Sequence, residues 1–307
     1  MSDERYIVIL GDRRYAIHRK WARLPAGESF GFISDLAVDD RGRVHVAQRG
    51  TDRPVLVFGR DGSYAGTWGE GTLAEPHYIN KAPDGSLLVA DRDAHQILRF
   101  DADGKVLQAI GRRHEPHFNA PFNSPTAAAQ SPVTGEIYVS DGYGNSCVHK
   151  YSPDGRHLTC WGTTGTDPGQ FNIPHNIATD AEGWVYVADR ENHRVQVFDG
   201  NGRYEAQWNN MHRPCALYCC GGKNPNFIIG ELGPGMPVNT KHTNLGPRLT
   251  IVDRKGNTIQ RLGGEAGAGE EPGKFLSPHG LAVDSKGSIY VGEVSYTNWP
   301  STHPGVP

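Results

Sequence analysis

Short runs that alternate large apolar with small or polar residues recur along most of this chain, and Asp-Gly turns separate them. Trp184–Ala188 shows the pattern plainly, and a period of two is that of a half-buried β-strand. Around it the pattern predicts four strands: Asn176–Thr179, Trp184–Ala188, Arg194–Phe198 and Tyr204–Trp208. Asp180-Ala181-Glu182-Gly183 and Asp199-Gly200-Asn201-Gly202 turn the chain between them. Asp-Gly recurs at Asp61-Gly62, Asp84-Gly85, Asp103-Gly104 and Asp154-Gly155, because this pair tolerates the positive φ of tight hairpins.

The four-strand unit repeats. Its shared apolar anchors are Leu36, Ile79, Ala127, Ile177, Leu217 and Leu281, spaced 43, 48, 50, 40 and 64 residues apart. Repeats of roughly 40–50 residues with four short strands each are the signature of propeller blades. Six copies predict an all-β, six-bladed β-propeller forming a single domain over residues 1–307. The sixth copy stops early, and Thr297–Pro307 carries no strand pattern. The N-terminus holds a spare half-blade, with Tyr6–Leu10, a Gly11-Asp12 turn and Tyr15–Trp21. The expectation is that these strands complete blade six and close the ring, removing exposed edges.

Composition narrows the class. Gly 39 and Pro 21 make about a fifth of 307 residues, rich but below the disordered range. A net charge of -3 gives no basic surface for nucleic acid. No apolar run approaches the roughly 20 residues of a membrane span. The start MSDERYIVIL lacks a basic n-region and a cleavage site. The five cysteines, Cys147, Cys160, Cys215, Cys219 and Cys220, form an odd, clustered set that gives no disulfide framework. A cytoplasmic protein acting on a small molecule is expected, with the oligomeric state open.

Three Pro-His dipeptides stand at one point of the repeat: Pro76-His77, Pro174-His175 and Pro278-His279. They fall in blades two, four and six. The equivalent residues of blades one, three and five are Ser34, Thr126 and Cys215. Alternate blades of a six-bladed ring lie about 120° apart, so three equivalent imidazoles converge on the axis. Three protein ligands with one open face is the pattern of a catalytic rather than a structural zinc. Imidazole suits zinc best, with iron, cobalt and copper open. Histidines packed locally as a repeat consensus are the alternative; the alternation argues against it. Arg49, Arg92, Arg190 and Tyr143 follow equivalent strand ends and should face the same channel mouth. Arginine grips carboxylates through paired hydrogen bonds, and a tyrosine beside a divalent metal can act as a base. Asp91 and Asp189 are read as braces within their blades.

YVSDGYGNSCVHKYSPDGRHLTCWG, followed by PGQFNIPHNIATDAEGWVYVADRENHRVQVF, resembles the lyase domain of peptidylglycine α-amidating enzymes. That domain, peptidyl-α-hydroxyglycine α-amidating lyase, is a six-bladed NHL-type propeller. The resemblance is strongest over Ile137–Phe198 and extends more weakly through all six repeats. It implies zinc ligands at His77, His175 and His279, a catalytic Tyr143, and substrate arginines at Arg190 and Arg49. The family's cysteine after the tyrosine is Gly144 here, and a family disulfide falls on Tyr186 and Val197. An aspartate that follows the last zinc histidine and helps bind a structural calcium is Gly280, which leaves that calcium in doubt. The resemblance implies zinc-dependent C–N cleavage of an N-acyl or N-carbamoyl α-hydroxyglycine, giving an amide and glyoxylate. A lactone or amide hydrolase with Glu293 or Glu231 as base, and a non-catalytic NHL binding module, are the alternatives. The Gly- and Pro-rich stretch Gly221–Pro247 is expected to shape the substrate entrance.

Overall fold

The computed structural model describes residues 6–50, 52–242, 244–264 and 267–302. The chain opens with a hairpin, β1 (Ile7–Leu10) and β2 (Arg13–Ala16), and then builds four-stranded antiparallel sheets. Blade one is β3 (Phe32–Val38), β4 (Val44–Arg49), β5 (Val55–Phe58) and β6 (Tyr64–Trp68). Blade two is β7 (Pro76–Lys81), β8 (Leu87–Asp91), β9 (Gln96–Phe100) and β10 (Val106–Gly111). Blade three is β11 (Ala127–Gln130), β12 (Ile137–Asp141), β13 (Cys147–Tyr151) and β14 (His157–Trp161). Blade four is β15 (Pro174–Thr179), β16 (Val185–Asp189), β17 (Arg194–Phe198) and β18 (Tyr204–Trp208). Blade five is β19 (Pro214–Cys219), β20 (Phe227–Glu231), β21 (Arg248–Val252) and β22 (Thr258–Gly263). A two-stranded sheet, β23 (Pro278–Val283) and β24 (Ile289–Glu293), follows, then a helix, α1 (Ser295–Thr302), that the sequence pattern did not announce.

The apolar alternation explains the packing. Inner strands are buried on both faces, while the outer strands β10 and β14 are largely exposed. The core is therefore laminated between blades. Trp68 and Phe100 join blades one and two, Ile97 and Tyr151 lie in the cluster between blades two and three, and Phe171 and Phe198 serve blades three and four. Each fully buried phenylalanine contributes about 2–3 kcal/mol. Trp21, after the N-terminal hairpin, packs edge-on against Tyr290 at 5.0 Å and reaches Phe58 at 5.9 Å.

Two expectations are corrected. Among the described residues there are five complete blades, not six; the sixth repeat supplies only β23 and β24. The expected closure by the N-terminal strands is not found either: β1 and β2 pair with each other and not with β24. The reason lies after Ala16. Residues from Ile17 on do not continue as a strand. Instead Arg19 bonds Glu293 Oε1 at 2.9 Å and the carbonyls of Gly269, Glu271 and Lys274. The hairpin leans on blade five, where Gly11 N donates to Gln260 Oε1 at 2.6 Å. A cavity of about 1590 Å³ lies between this segment and β24, and none of the three histidines lines it. The stretch Gly221–Pro247 also differs from the expected single loop, because β20 lies within it.

Candidate metal centre

Every Pro-His stands where its inner strand begins. Proline lacks an N–H, so the first residue of a strand is where it fits. Pro76, Pro174 and Pro278 pair with Asp91, Asp189 and Glu293, and the pairing then skips one residue. The skipped residues are His77, His175 and His279. A bulge of this kind leaves one residue out of the ladder and re-aims its side chain. Here it turns each imidazole inward. All three histidines are buried, and one ligand atom from each lies within 4.8 Å of the others. Their ring centroids are 4.9–5.1 Å apart.

The odd blades hold the rings in place. His77 Nδ1 meets Thr126 O at 2.8 Å, and His279 Nδ1 meets Ser34 O at 2.6 Å. His175 Nδ1 lies 3.4 Å from Cys215 O and 3.1 Å from its Sγ. A carbonyl can only accept, so each Nδ1 carries the proton and each Nε2 presents a lone pair. Ser34, Thr126 and Cys215 are the residues that replace histidine at this repeat position. They are outer partners of the rings, the support that metal-binding histidines characteristically have. Burial, then His279 and Arg49, push the His77 ring well below its ordinary pKa. His175 is lowered by burial and Arg190, and His279 by burial and Arg49. The rings are therefore neutral, the form a metal needs.

Tyr143 closes the mouth. Its Oη lies 3.1 Å from His77 Nε2 and 3.1 Å from His175 Nε2, and Arg190 donates to it at 3.3 Å. One hydroxyl proton cannot serve two lone pairs, so the cluster has more acceptors than donors. That imbalance suits a cation. The guanidinium carbons of Arg92 and Arg190 sit 5.7 and 5.6 Å from the tyrosine ring centroid. Arg49 comes to the same mouth, and its buried Nε has no hydrogen-bond partner among the described residues; Glu75 stands 3.9 Å away. Gly142 allows the approach of the tyrosine loop, since a Cβ there would meet Pro174 O at 2.1 Å. Gly144, which replaces the family's cysteine, leaves no room for any side chain: a Cβ would lie 2.2 Å from Asn123 Cγ.

Tyr78 was missed in the sequence, although it follows His77 directly. It forms the floor of the cluster, stacked on His279 at 4.8 Å. Its hydroxyl lies 2.6 Å from His279 O and 2.8 Å from Cys215 O and shares its one proton between them. An axial calcium does not fit here, because calcium takes six to eight oxygens. Tyr78 spans the channel, and burial pushes the carboxyl of Asp35, whose Oδ1 occupies the space beside Gly280, well above its usual range. Burial also pushes the Cys215 thiol up to about 12.

The brace reading of the strand-end aspartates agrees with their bonds. Asp91 accepts from the N–H groups of Ala74 and Glu75, and Asp189 from Asn172 N and Arg194 Nε. Glu231 and Glu293, considered as hydrolytic bases, are braces too. Glu231 holds Arg248 at 2.8 and 2.9 Å, and Glu293 accepts from Leu276 N and Ser277 N. All five cysteines are free. Tyr186 and Val197, at the family's disulfide positions, are direct cross-strand neighbours in the apolar layer between blades four and five.

Blades of this repeat around a buried imidazole trio define an NHL-repeat β-propeller, and the NHL repeat model matches residues 171–198. Mouse NHL repeat-containing protein 3 is 34% identical over 98% of this chain and 92% of its own length. The chain belongs to that family and is homologous to the lyase domain of peptidylglycine α-amidating enzymes. Peptidyl-glycine alpha-amidating monooxygenase B of Xenopus laevis is 36% identical over 73% of this chain, but only 26% of that protein is covered. Peptidyl-alpha-hydroxyglycine alpha-amidating lyase 1 of Drosophila melanogaster is 27% identical over 84% of this chain and 50% of its own length. Among the described residues no helix is long and apolar enough to cross a membrane.

Proposed function

We propose that this protein is a zinc-dependent carbon–nitrogen lyase acting on N-acyl or N-carbamoyl α-hydroxyglycines, and that it works in the cytoplasm on small molecules. The observation that carries the reading is Tyr143 Oη, 3.1 Å from two of three converging imidazoles and bonded by Arg190. Homology to amidating lyases supports it.

His77, His175 and His279 would hold the ion, which when bound supplies Lewis-acid stabilisation of negative charge on the substrate hydroxyl oxygen. Arg49, with a donor to spare, binds the substrate carboxylate, and Arg190 stabilises charge beside Tyr143. Tyr143, acting as its phenolate, takes the hydroxyl proton at Oη. The carbon–oxygen double bond forms as the C–N bond breaks. The departing amide nitrogen takes that proton back from Tyr143 Oη, which restores the phenolate and leaves an amide and glyoxylate. The hydrolytic alternative lacks its base, since Glu231 and Glu293 are committed to arginine and backbone N–H groups. Metal analysis of the purified protein, with glyoxylate release from α-hydroxyhippurate and ureidoglycolate, tests the proposal. Protein with no stoichiometric metal and no glyoxylate release points to a non-catalytic propeller.

A further inference from the structure

The odd cysteine set has a second centre in it. Cys147 and His149 alternate on β13 and so share a face, and Cys160 on β14 lies directly opposite His149. One ligand atom from each lies within 4.8 Å of the others. Cys147 Sγ is 3.4 Å from His149 Nε2, and Asp141 Oδ2 is 3.2 Å from the same nitrogen. A tetrahedral ion with bonds of about 2.0–2.3 Å needs ligand atoms roughly 3.3–3.8 Å apart. The Cys147–His149 separation already falls in that range, and Cys160 lies within 4.8 Å of both. His157 Nε2, 3.3 Å from His149 Nδ1, steadies the ring from its other side.

We propose that Cys147, His149 and Cys160 bind a second, thiophilic metal ion of the zinc class, with solvent in the fourth position. Two sulfurs and one imidazole select a softer ion than three imidazoles do. Cys160 is exposed on the outer strand, so an ion has a path in, while Cys147 and His149 are buried beneath it. The ion would tie β13 to β14 beside Asp141 of β12. That carboxylate also accepts from Asn123 N and Asn145 Nδ2, next to the loop that carries Tyr143. Its role is a structural clamp on blade three, independent of the three-histidine centre.

Cobalt(II) is the probe. Metal-free, fully reduced protein is titrated with it, while near-ultraviolet sulfur-to-cobalt charge-transfer absorption and bound cobalt are followed. The wild-type protein should show that absorption. His77→Ala should keep it, because its thiolates are untouched. Cys160→Ser and Cys147→Ser should each lose it while still binding cobalt at the imidazole trio. Cys160 is exposed, so its variant tests the site without disturbing the core. No charge-transfer absorption in reduced wild-type protein overturns the proposal, and so does absorption that survives Cys160→Ser. A Cys147–Cys160 disulfide that re-forms in preference to cobalt binding overturns it as well.

Discussion

Replacing Tyr143 by phenylalanine removes one oxygen and nothing else. That oxygen is the acceptor for Arg190 and the atom 3.1 Å from His77 Nε2 and His175 Nε2. If it is the base, its loss should lower kcat by about 10²–10⁴-fold, or roughly 3–5 kcal/mol of transition-state stabilisation. Folding should scarcely change. The ring is 39% exposed at the channel mouth, and Arg190 keeps its 2.7 Å bond to Glu191. A single lost hydrogen bond costs only about 1 kcal/mol. Metal content should also hold, because all three imidazoles keep their carbonyl partners. The assay is glyoxylate release from α-hydroxyhippurate under saturating substrate, with metal content and Tm measured on the same preparation. A metal-loaded Tyr143→Phe protein whose kcat stays within about threefold of wild type refutes the base assignment. A variant that loses its metal would instead make the phenol a contributor to the ion's site.

Gly142→Ala should displace the tyrosine loop, because its Cβ would meet Pro174 O at 2.1 Å; a loss of about 1–3 kcal/mol in urea unfolding and reduced activity are expected. Tyr78→Phe leaves the carbonyls of Cys215 and His279 without their donor, and should cost about 1–3 kcal/mol by thermal melting with metal stoichiometry retained. Thr126→Val removes the Oγ1 bond to Pro174 O but keeps the carbonyl that orients His77; metal affinity should be unchanged, and a large loss would show that the hydroxyl orients the ring. Burial, then His193, depress the His212 ring to about 4, so between pH 6.5 and 4 the unfolded chain takes up a proton that the folded chain refuses. That stability is intact above pH 6.5 and is lost as pH falls toward 4; His212→Gln should flatten this stretch of the Tm curve.

The sequence by itself determined the repeat, the strands within it and the convergence of His77, His175 and His279. These follow from local rules: period-two alternation, Asp-Gly turns, and identical positions in units that pack alike. In blade four the last two strands fall where the pattern put them, and the first begins two residues earlier, at the proline. Only the tertiary structure decided what the odd blades do. Ser34, Thr126 and Cys215 differ in side chain and act through a shared backbone carbonyl, which no residue pattern can announce. Tyr78 as the floor, and the pairing of Cys147 and His149 with Cys160, likewise depend on contacts across strands and blades. Ring closure was the clearest miss. The pattern Tyr15–Trp21 is apolar enough for a strand, but Arg19 within it bonds β24 and its neighbours through a side chain instead of a backbone ladder. Periodicity reports which face of a segment is buried; it does not report which partner the segment takes.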